Sequence, residues 1–288
     1  MPQPNFQDAT LILVGHGATD NPGSTEPLLN VGRVLRKRGI FGQVLEGFYR
    51  AEPSIRSLWD QVSQTRVFVC PLTISEGWFT NQIVPRELGL KGPRPAGQPD
   101  RQFREGREVY CCVSLGDHPL MTELLIRRAR EALLEAPGER PTDPKHTAVF
   151  VAGHGTKRNK QSRQAIEDQV ERIQHRQIFG EVHPTFMLEE PLIADCWKAT
   201  RLPDLVLVPF FMANGLHTLE DIPVMLGVSE TEVRERLRRG DATWLNPTSQ
   251  GPQRLWYTPA IGSDPALVDL VMERVLEAEA LPQTAGQG

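Results

Sequence analysis

Short apolar runs alternate with amphipathic segments along the first half of the chain. Four of these runs are almost wholly apolar and have the length of strands: residues 10–14, 44–49, 66–70 and 109–113. Strands that are apolar on both faces and alternate with helices are typical of a parallel sheet covered by helices on both sides. We therefore expect a doubly wound α/β sheet of four strands in this half of the chain.

Two segments between the runs have the features of helices. The first is predicted to begin around Ser24 and end at Gly39, with its apolar stripe at Leu28, Leu29, Val31 and Leu35. The second is predicted to open at Glu52-Pro53, because proline suits the first helical position and an acid suits the positive end of the helix dipole. Its expected buried side chains are Ile55, Leu58, Trp59 and Val62. The proline- and glycine-rich segment 92–106 is expected to be a surface excursion.

The second half of the chain repeats the first in the same order. Three blocks match at a constant offset: LILVGHGATDNPGS at 11–24 with VFVAGHGTKRNKQS at 149–162, GFYRAEPSI at 47–55 with TFMLEEPLI at 185–193, and the segment 69–89 with 207–227. A fourth block, VSLGDHP at 113–119, resembles PAIGSDP at 259–265. This order indicates a tandem duplication, and we predict an N-terminal lobe at 1–140 and a C-terminal lobe at 141–288.

Two histidines of the second repeat follow strands that should be neighbours. His154 stands after the first strand of that repeat, and His217 stands in the loop after the third. If the strand order is 2-1-3-4, these carboxyl ends adjoin, and parallel sheets bind their ligands at such ends. Neutral imidazole is a good ligand for borderline divalent metals such as cobalt, iron and nickel. The sequence thus predicts a metal site at His154 and His217, whose counterparts in the first repeat are His16 and Phe79.

Basic residues follow His154 but not His16. The cluster consists of Lys157, Arg158, Lys160 and Arg163. The matching stretch of the first repeat reads Thr19, Asp20, Asn21, Pro22. Because arginine can pair with carboxylates through two parallel hydrogen bonds, the cluster predicts an anionic second reactant.

Several of these residues also have ordinary structural interpretations. His16 either lines the site or is a loop residue left by the duplication. Glu190 is interpreted as a helix-start acid, because Glu52 repeats it. Glu220 and Asp221 either position His217 and the substrate or start the helix at Ile222-Pro223. A GHG turn before a helix can also hold phosphate, although the chain has neither a GxGxxG fingerprint nor a P-loop pattern.

Composition narrows the classes of protein. The 288 residues are 39% hydrophobic and 24% charged with a net charge of −4, which argues against nucleic acid as a partner. The chain lacks a signal-peptide pattern and an apolar run of about 18–20 residues, so we expect a cytoplasmic protein without a membrane span. Four cysteines without CxxC spacing argue against an iron–sulfur cluster: Cys70, Cys111, Cys112 and Cys196.

The motifs resemble those of the class II chelatase superfamily, in particular its sirohydrochlorin cobaltochelatases and ferrochelatases. The resemblance covers about residues 9–280 and is carried by GHGT at 153–156, Glu190-Pro191 and VPFFMANGLHTLEDIP at 208–223. It implies two chelatase-like, flavodoxin-like lobes with an anionic tetrapyrrole in the cleft between them. It also implies insertion of a divalent metal, Co²⁺ before Fe²⁺ or Ni²⁺, into sirohydrochlorin or a relative in cobalamin or siroheme biosynthesis. Such enzymes use no nucleotide.

The resemblance also implies roles for individual residues. His154 and His217 would hold the metal and help to remove the pyrrole protons. The carboxylates of the substrate would account for the basic cluster, with His16 as a further substrate contact. The family acid at the end of the second strand is replaced by Met187, so Glu189, two residues later, is the expected substitute.

The residues also fit two other functions and one assembly. The chain could be a non-catalytic tetrapyrrole- or metal-binding homologue, which the replacement at Met187 favours, or an α/β enzyme acting on phosphorylated substrates. A homodimer is the expected assembly if the chain associates.

Overall fold

A computed structural model describes residues 5–19, 21–94, 97–134, 142–155 and 160–281. The chain forms two compact units. Unit 1 combines Met1–Gly116 with Pro265–Gly288, and unit 2 is Asp117–Asp264.

Unit 1 is built on a five-stranded sheet. Its strands are β1 (Phe6–Gly15), β2 (Phe41–Phe48), β3 (Arg66–Pro71), β4 (Asp100–Arg104) and β5 (Arg107–Cys111). Helix α1 (Glu26–Arg38) follows β1 and ends at Gly39 in the left-handed conformation, and the short helix α2 (Val84–Glu87) follows β3. The strand order is β2-β1-β3-β5-β4, and only β4 runs antiparallel to its neighbour. The α/β class and the predicted order of the four parallel strands are confirmed.

The fifth strand corrects the prediction of four strands in each lobe. Strand β4 lies in the segment 92–106, which we expected to be a surface excursion. Glu105 and Gly106 both have positive φ angles, of 49° and 75°, and such a two-residue turn joins antiparallel strands. An antiparallel edge strand can face water, so β4 lacks the apolar pattern that identified the other strands.

The helix predicted at Glu52-Pro53 is also wrong. That peptide bond is cis, and two 3₁₀ turns, Ile55–Ser57 and Trp59–Gln61, occupy the segment. The amide of Phe48 donates to the carbonyl of Pro53, which returns the chain to the end of β2 and delays helical geometry until after Ser54. The four apolar side chains expected in this segment are nevertheless buried.

Unit 2 repeats this architecture. Its strands are β6 (Thr147–Gly153), β7 (Glu181–Phe186), β8 (Asp204–Pro209), β9 (Thr248–Gln250) and β10 (Gln253–Tyr257), in the order β7-β6-β8-β10-β9. Its helices are α3 (Pro119–Leu134), α4 (Lys160–His175), α5 (Cys196–Ala199), α6 (Ile222–Met225) and α7 (Glu230–Arg239). Strand β9 is the antiparallel edge strand.

The last helix of each repeat packs on the sheet of the other repeat. Helix α3 belongs to the first repeat but packs on β8 and β10, whereas α8 (Leu267–Glu279) packs on β3 and β5. Arg66 anchors α8 through an ion pair of 2.6 Å with Glu279. The compact units therefore differ from the lobes predicted at 1–140 and 141–288, because two helices cross that boundary.

The helices and the cysteines bear on what the composition predicts. Among the described residues, no helix has both the length and the apolar character needed to span a bilayer. All four cysteines are free and buried. Burial raises the pKa of Cys111 and of Cys196 to about 12, so these thiols stay protonated at neutral pH.

Candidate metal centre

His154 is presented by a tight turn at the end of β6. The strand is buried along its whole length, and the chain turns at Gly155, whose φ is +67°. A Cβ atom at Gly155 would lie 2.8 Å from the Cβ of Phe186, so only glycine fits there. The Nδ1 atom of His154 lies 2.9 Å from the carbonyl oxygen of Gly155. Because a carbonyl can only accept, Nδ1 carries the proton, and the lone pair of the neutral ring is on Nε2.

His217 opens a five-residue π-helical turn, His217–Asp221, after β8. Thr218 fixes the start of this turn, since its hydroxyl accepts from the amide of Gly215 at 2.9 Å. The Nδ1 atom of His217 lies 2.7 Å from Oδ2 of Asp221. The carboxylate holds the proton of the neutral ring on Nδ1 and leaves the lone pair on Nε2. The sequence left two roles for Asp221, and this hydrogen bond shows that Asp221 orients the ring of His217.

The sheet order brings the two histidines together. Their ring centres are 5.0 Å apart, with the planes at 67°. A metal–imidazole bond of about 2.1 Å places a ring centre roughly 3 Å from the ion, so two rings that share one ion can lie about 5 Å apart. No group of three or more His, Cys, Asp or Glu side chains in the described ranges could hold a metal. The arrangement therefore offers two imidazole ligands.

Glu189 lies against the turn that carries His154. A Cβ atom at Gly155 would be 2.9 Å from Cγ and 3.0 Å from Oε1 of Glu189, and the Glu189 side chain is only 14% exposed. An Nη1 atom of Arg163 lies 3.3 Å from its Oε2. The predicted substitute acid thus packs against the turn that follows His154 and has Arg163 as a cationic neighbour.

Two residues of the basic cluster, Arg163 and Lys160, lie in the described part of the chain. Arg163 donates to Glu167 and to the carbonyl of Glu190, both at 2.8 Å, and its guanidinium lies 4.8 Å from the ring centre of Phe186. Its main contacts are therefore within unit 2. Lys160, the first residue of α4, is exposed. Lys157 and Arg158 lie outside the described residues, so their role in substrate binding stays a prediction.

Met187 does not contribute a polar group to the site. Its side chain is 7% exposed and belongs to the apolar core of unit 2 with Phe150, Ile193 and Trp197. The position at which the resemblance implies an acid is therefore used for packing in this chain.

Unit 1 has the same backbone features with different side chains. Nδ1 of His16 lies 3.0 Å from the carbonyl of Gly17, whose φ is +64°. The π-helical turn Phe79–Ile83 matches that of His217, and its Phe79 ring centre lies 5.7 Å from that of His16. The loop therefore folds without a second histidine, and unit 1 lacks the pair.

Comparison with known proteins gives two matches to the same family along the chain. The CbiX family model matches residues 10–132 and again residues 148–278. A protein named probable sirohydrochlorin cobaltochelatase, from Halobacterium salinarum, is 35% identical over 280 residues, covering 94% of this chain and 91% of that protein. The sirohydrochlorin cobaltochelatase of Methanopyrus kandleri is 32% identical over 139 residues, which is 46% of this chain and 96% of that protein.

Solved structures share the fold. A multi-domain protein from Deinococcus radiodurans, described as structurally similar to chelatases, has a TM-score of 0.75 and 26% identity over 94% of this chain and 55% of its own. A sirohydrochlorin chelatase from Bacillus subtilis in complex with cobalt has a TM-score of 0.61 at 13% identity, covering 94% of this chain and 96% of its own. The double match to one family model, with 35% identity along nearly the whole chain, shows that this protein belongs to the CbiX family.

Proposed function

We propose that this protein is a chelatase that inserts a divalent metal, Co²⁺ foremost, into sirohydrochlorin. The observation that carries the proposal is the pair His154 and His217. Their ring centres are 5.0 Å apart, and the Nδ1 atom of each ring is hydrogen-bonded. Both Nε2 lone pairs are thereby available to an ion. The cobaltochelatase names of its relatives support the reaction and the metal, although Fe²⁺ and Ni²⁺ suit the same ligands.

The metal is a substrate in this reaction and has to leave the protein. Two neutral imidazoles with water in the remaining positions hold a divalent ion less firmly than a closed site of four protein ligands. The exposure of His217 leaves one side of the pair open to a second reactant. A pair of ligands is therefore suited to delivering the ion rather than to storing it.

Insertion also requires proton acceptors. When one divalent ion bonds to the macrocycle nitrogens, two pyrrole protons are displaced. Two bases therefore have to accept these protons. An imidazole that gives up the ion regains its Nε2 lone pair and can accept one proton, and the carboxylate of Asp221 stabilises the resulting cation on His217. Glu189, which packs against Gly155, is the second acceptor in this proposal.

The carboxylates of the substrate need cationic partners. Lys160 is exposed at the start of α4, and Lys157 and Arg158 precede it in the chain. We assign substrate binding to these three residues. Arg163 would act mainly by holding Glu189, since its guanidinium already contacts Glu189 and Glu167.

The test is an anaerobic assay of sirohydrochlorin with Co²⁺, followed by absorption. The wild type should turn over many times, and a His154→Ala, His217→Ala double variant should fall to the uncatalysed rate. His175→Ala, at the exposed end of α4, is the matched control for loss of an imidazole and should keep the wild-type rate. Equal rates for the wild type and the double variant would rule out the proposal.

One observation favours a second candidate. Because Met187 is buried in the core, the position of the family acid supplies no carboxylate. A non-catalytic tetrapyrrole- or metal-binding homologue would bind its ligand stoichiometrically without turnover. Multiple turnover in the same assay excludes this candidate.

A further inference from the structure

The first repeat carries aromatic and cationic side chains where the second carries aliphatic ones and a histidine. The matched pairs are Tyr49 and Met187, Arg50 and Leu188, Trp78 and Leu216, Phe79 and His217, and Arg86 and Val224. Since the backbone of the two loops is alike, these differences are not demanded by the fold. They suggest that unit 1 uses the same ends of its strands for a different purpose.

Four rings of unit 1 form a connected cluster, which we name the aromatic face: His16, Tyr49, Trp78 and Phe79. The ring centre of Tyr49 lies 5.7 Å from His16, 5.9 Å from Trp78 and 6.3 Å from Phe79. These spacings are those of interacting aromatic pairs. The cluster thus extends from the end of β1 to the loop after β3.

Trp78 projects from this cluster into solvent. It is 53% exposed, whereas the other four tryptophans, all within the described residues, are at most 9% exposed. Tryptophan is highly buried on average and is enriched at sites of binding, so an exposed ring on an aromatic cluster indicates a ligand surface.

Arginines adjoin the aromatic face. The guanidinium carbon of Arg50 lies 5.2 Å from the ring centre of Tyr49. Arg86 pairs with Glu87 at 2.7 Å, and its pKa is raised by hydrogen bonds to Glu87 and then to Tyr49. Glu87 is shared with Arg56, at 2.9 Å.

Two carboxylates of the segments around the aromatic face are already engaged within unit 1. Burial would raise the pKa of Glu87, but hydrogen bonds from Arg86 and Arg56 lower it, so Glu87 is ionised at neutral pH. Glu52 is the other carboxylate of this segment and accepts the amide of Ser54 at 2.8 Å. Arg50, Arg56 and Arg86 thus lie in the same segments as these two carboxylates. The positions of these arginines in unit 2 are Leu188, Ala194 and Val224.

We propose that the aromatic face binds one side of a flat conjugated macrocycle that carries several carboxylates. The exposed ring of Trp78 would contact the macrocycle plane, and Arg50 and Arg86 would pair with its carboxylates. The identification of the natural ligand as a polycarboxylate tetrapyrrole rests on the proposed function.

Uroporphyrin, a flat octacarboxylate macrocycle, is the probe for this site. Binding to the full chain is measured by quenching of tryptophan fluorescence and by calorimetry at low and physiological salt. Trp78→Leu, which introduces the residue of the second repeat, should raise the Kd about fivefold, the size expected from loss of one aromatic contact. Trp78→Phe should bind within about twofold of the wild type. An Arg50→Leu, Arg86→Val double variant should bind more weakly and with less salt dependence.

Three outcomes overturn the inference. The first is an unchanged Kd in both Trp78→Leu and the double arginine variant. The second is an equal loss of affinity in Trp78→Phe and Trp78→Leu, accompanied by a lower Tm, which would indicate a structural role. The third is sedimentation that shows a dimer dissociated by Trp78→Leu with unchanged uroporphyrin affinity, since the face would then be an interface between copies.

The same variants separate this inference from the proposed function. Trp78→Leu should raise the KM for sirohydrochlorin and leave kcat within about twofold, because it does not touch the histidine pair. The His154→Ala, His217→Ala variant should bind uroporphyrin with the wild-type Kd. If the chelatase proposal fails, uroporphyrin binding still depends on Trp78. If the aromatic face does not bind, chelation still depends on the histidines.

Discussion

At the two histidines, a neighbouring hydrogen-bond acceptor holds the proton on Nδ1 and leaves Nε2 available to bind a metal ion. His154 is fixed by a backbone carbonyl, and His217 is fixed by the carboxylate of Asp221. The hydrogen bond of His154 uses a backbone carbonyl and no second side chain. It is repeated at His16, so it results from the conformation of the turn. The hydrogen bond of His217 depends on one residue and can be removed by mutation.

Asp221→Asn should lower the rate of metal insertion by about 10–100-fold, the usual effect of losing the carboxylate behind a metal-binding histidine. The free energy of unfolding should change by less than about 0.5 kcal/mol, because both side chains are half-exposed. Stopped-flow chelation and denaturant unfolding give the two values.

Glu220→Gln is the matched control for that change. Glu220 has no hydrogen bond to His217 in the described part of the chain, so its replacement should leave the insertion rate within about twofold. Equal losses in the two variants would show that the local negative charge, rather than the orientation of His217, is what matters.

Glu189→Gln tests the proposed proton acceptor. The amide keeps the packing against Gly155 but cannot accept a proton at neutral pH, so kcat should fall about 100-fold with little change in KM. Glu190→Gln removes a neighbouring exposed carboxylate and should keep the wild-type kcat. A kcat for Glu189→Gln close to that of the wild type would remove Glu189 from the mechanism.

Some residue-scale features could be predicted from the sequence, and others could not. The duplication made His154 and His217 candidates, because it showed which side chains the loop does not need, and the structure brings these two rings within 5.0 Å of each other. The duplication did not show that Arg163 pairs with Glu189, since these residues belong to different elements. Nor did it choose a role for Asp221, because the spacing of four residues from His217 fits a helix start as well.

At the scale of elements, the two GHG turns share a glycine in the left-handed conformation. Gly17 and Gly155 both have positive φ, and a Cβ at either position would contact the residues that follow the second strand of the unit. A substitution here strains the backbone and pushes on that segment. In unit 2 the segment includes Glu189.

Gly155→Ala and Gly17→Ala therefore form a matched pair. Each should lower the free energy of unfolding by at least about 1–2 kcal/mol, the cost of a left-handed backbone for alanine, to which the close contacts of the new Cβ atom add. Gly155→Ala should also lower kcat by at least about tenfold, because its Cβ displaces Glu189. Unfolding curves and chelation rates test the pair, and a kcat that falls equally in both variants would contradict the assignment of the working site to unit 2.

The strands and α1 could be predicted because their apolar pattern is set by burial in one sheet. Strand β4 has no such pattern, since an edge strand is fixed by its Glu105-Gly106 turn and by pairing with β5. The segment after Pro53 has helical apolar spacing, but its path is decided by the hydrogen bond between Phe48 and Pro53. Local periodicity contains no information about that bond.

On the scale of the whole molecule, the exchange of last helices links the two repeats. Helix α8 contributes buried residues such as Leu270 and Val271 to unit 1, and its Glu279 pairs with Arg66. The sequence repeat ends elsewhere, because periodicity shows that a helix is amphipathic but not which sheet it covers.

A fragment of residues 1–140 should therefore fail to fold cooperatively, although it contains one complete sequence repeat. A rearranged fragment, with residues 265–281 joined by a flexible linker to residues 5–116, should show a cooperative unfolding transition. Circular dichroism during urea titration distinguishes the two. Cooperative unfolding of 1–140 as a monomer would mean that α3 can cover its own sheet.

We expect His154 and His217 to hold one divalent ion between their Nε2 atoms. The most direct measurement is the anomalous difference density of a crystal soaked in Co²⁺ without macrocycle. We predict one strong peak about 2.1 Å from Nε2 of both residues, with Nδ1 of His217 still bonded to Asp221. A peak at His16, or an ion bound by only one of the two histidines, would contradict the account.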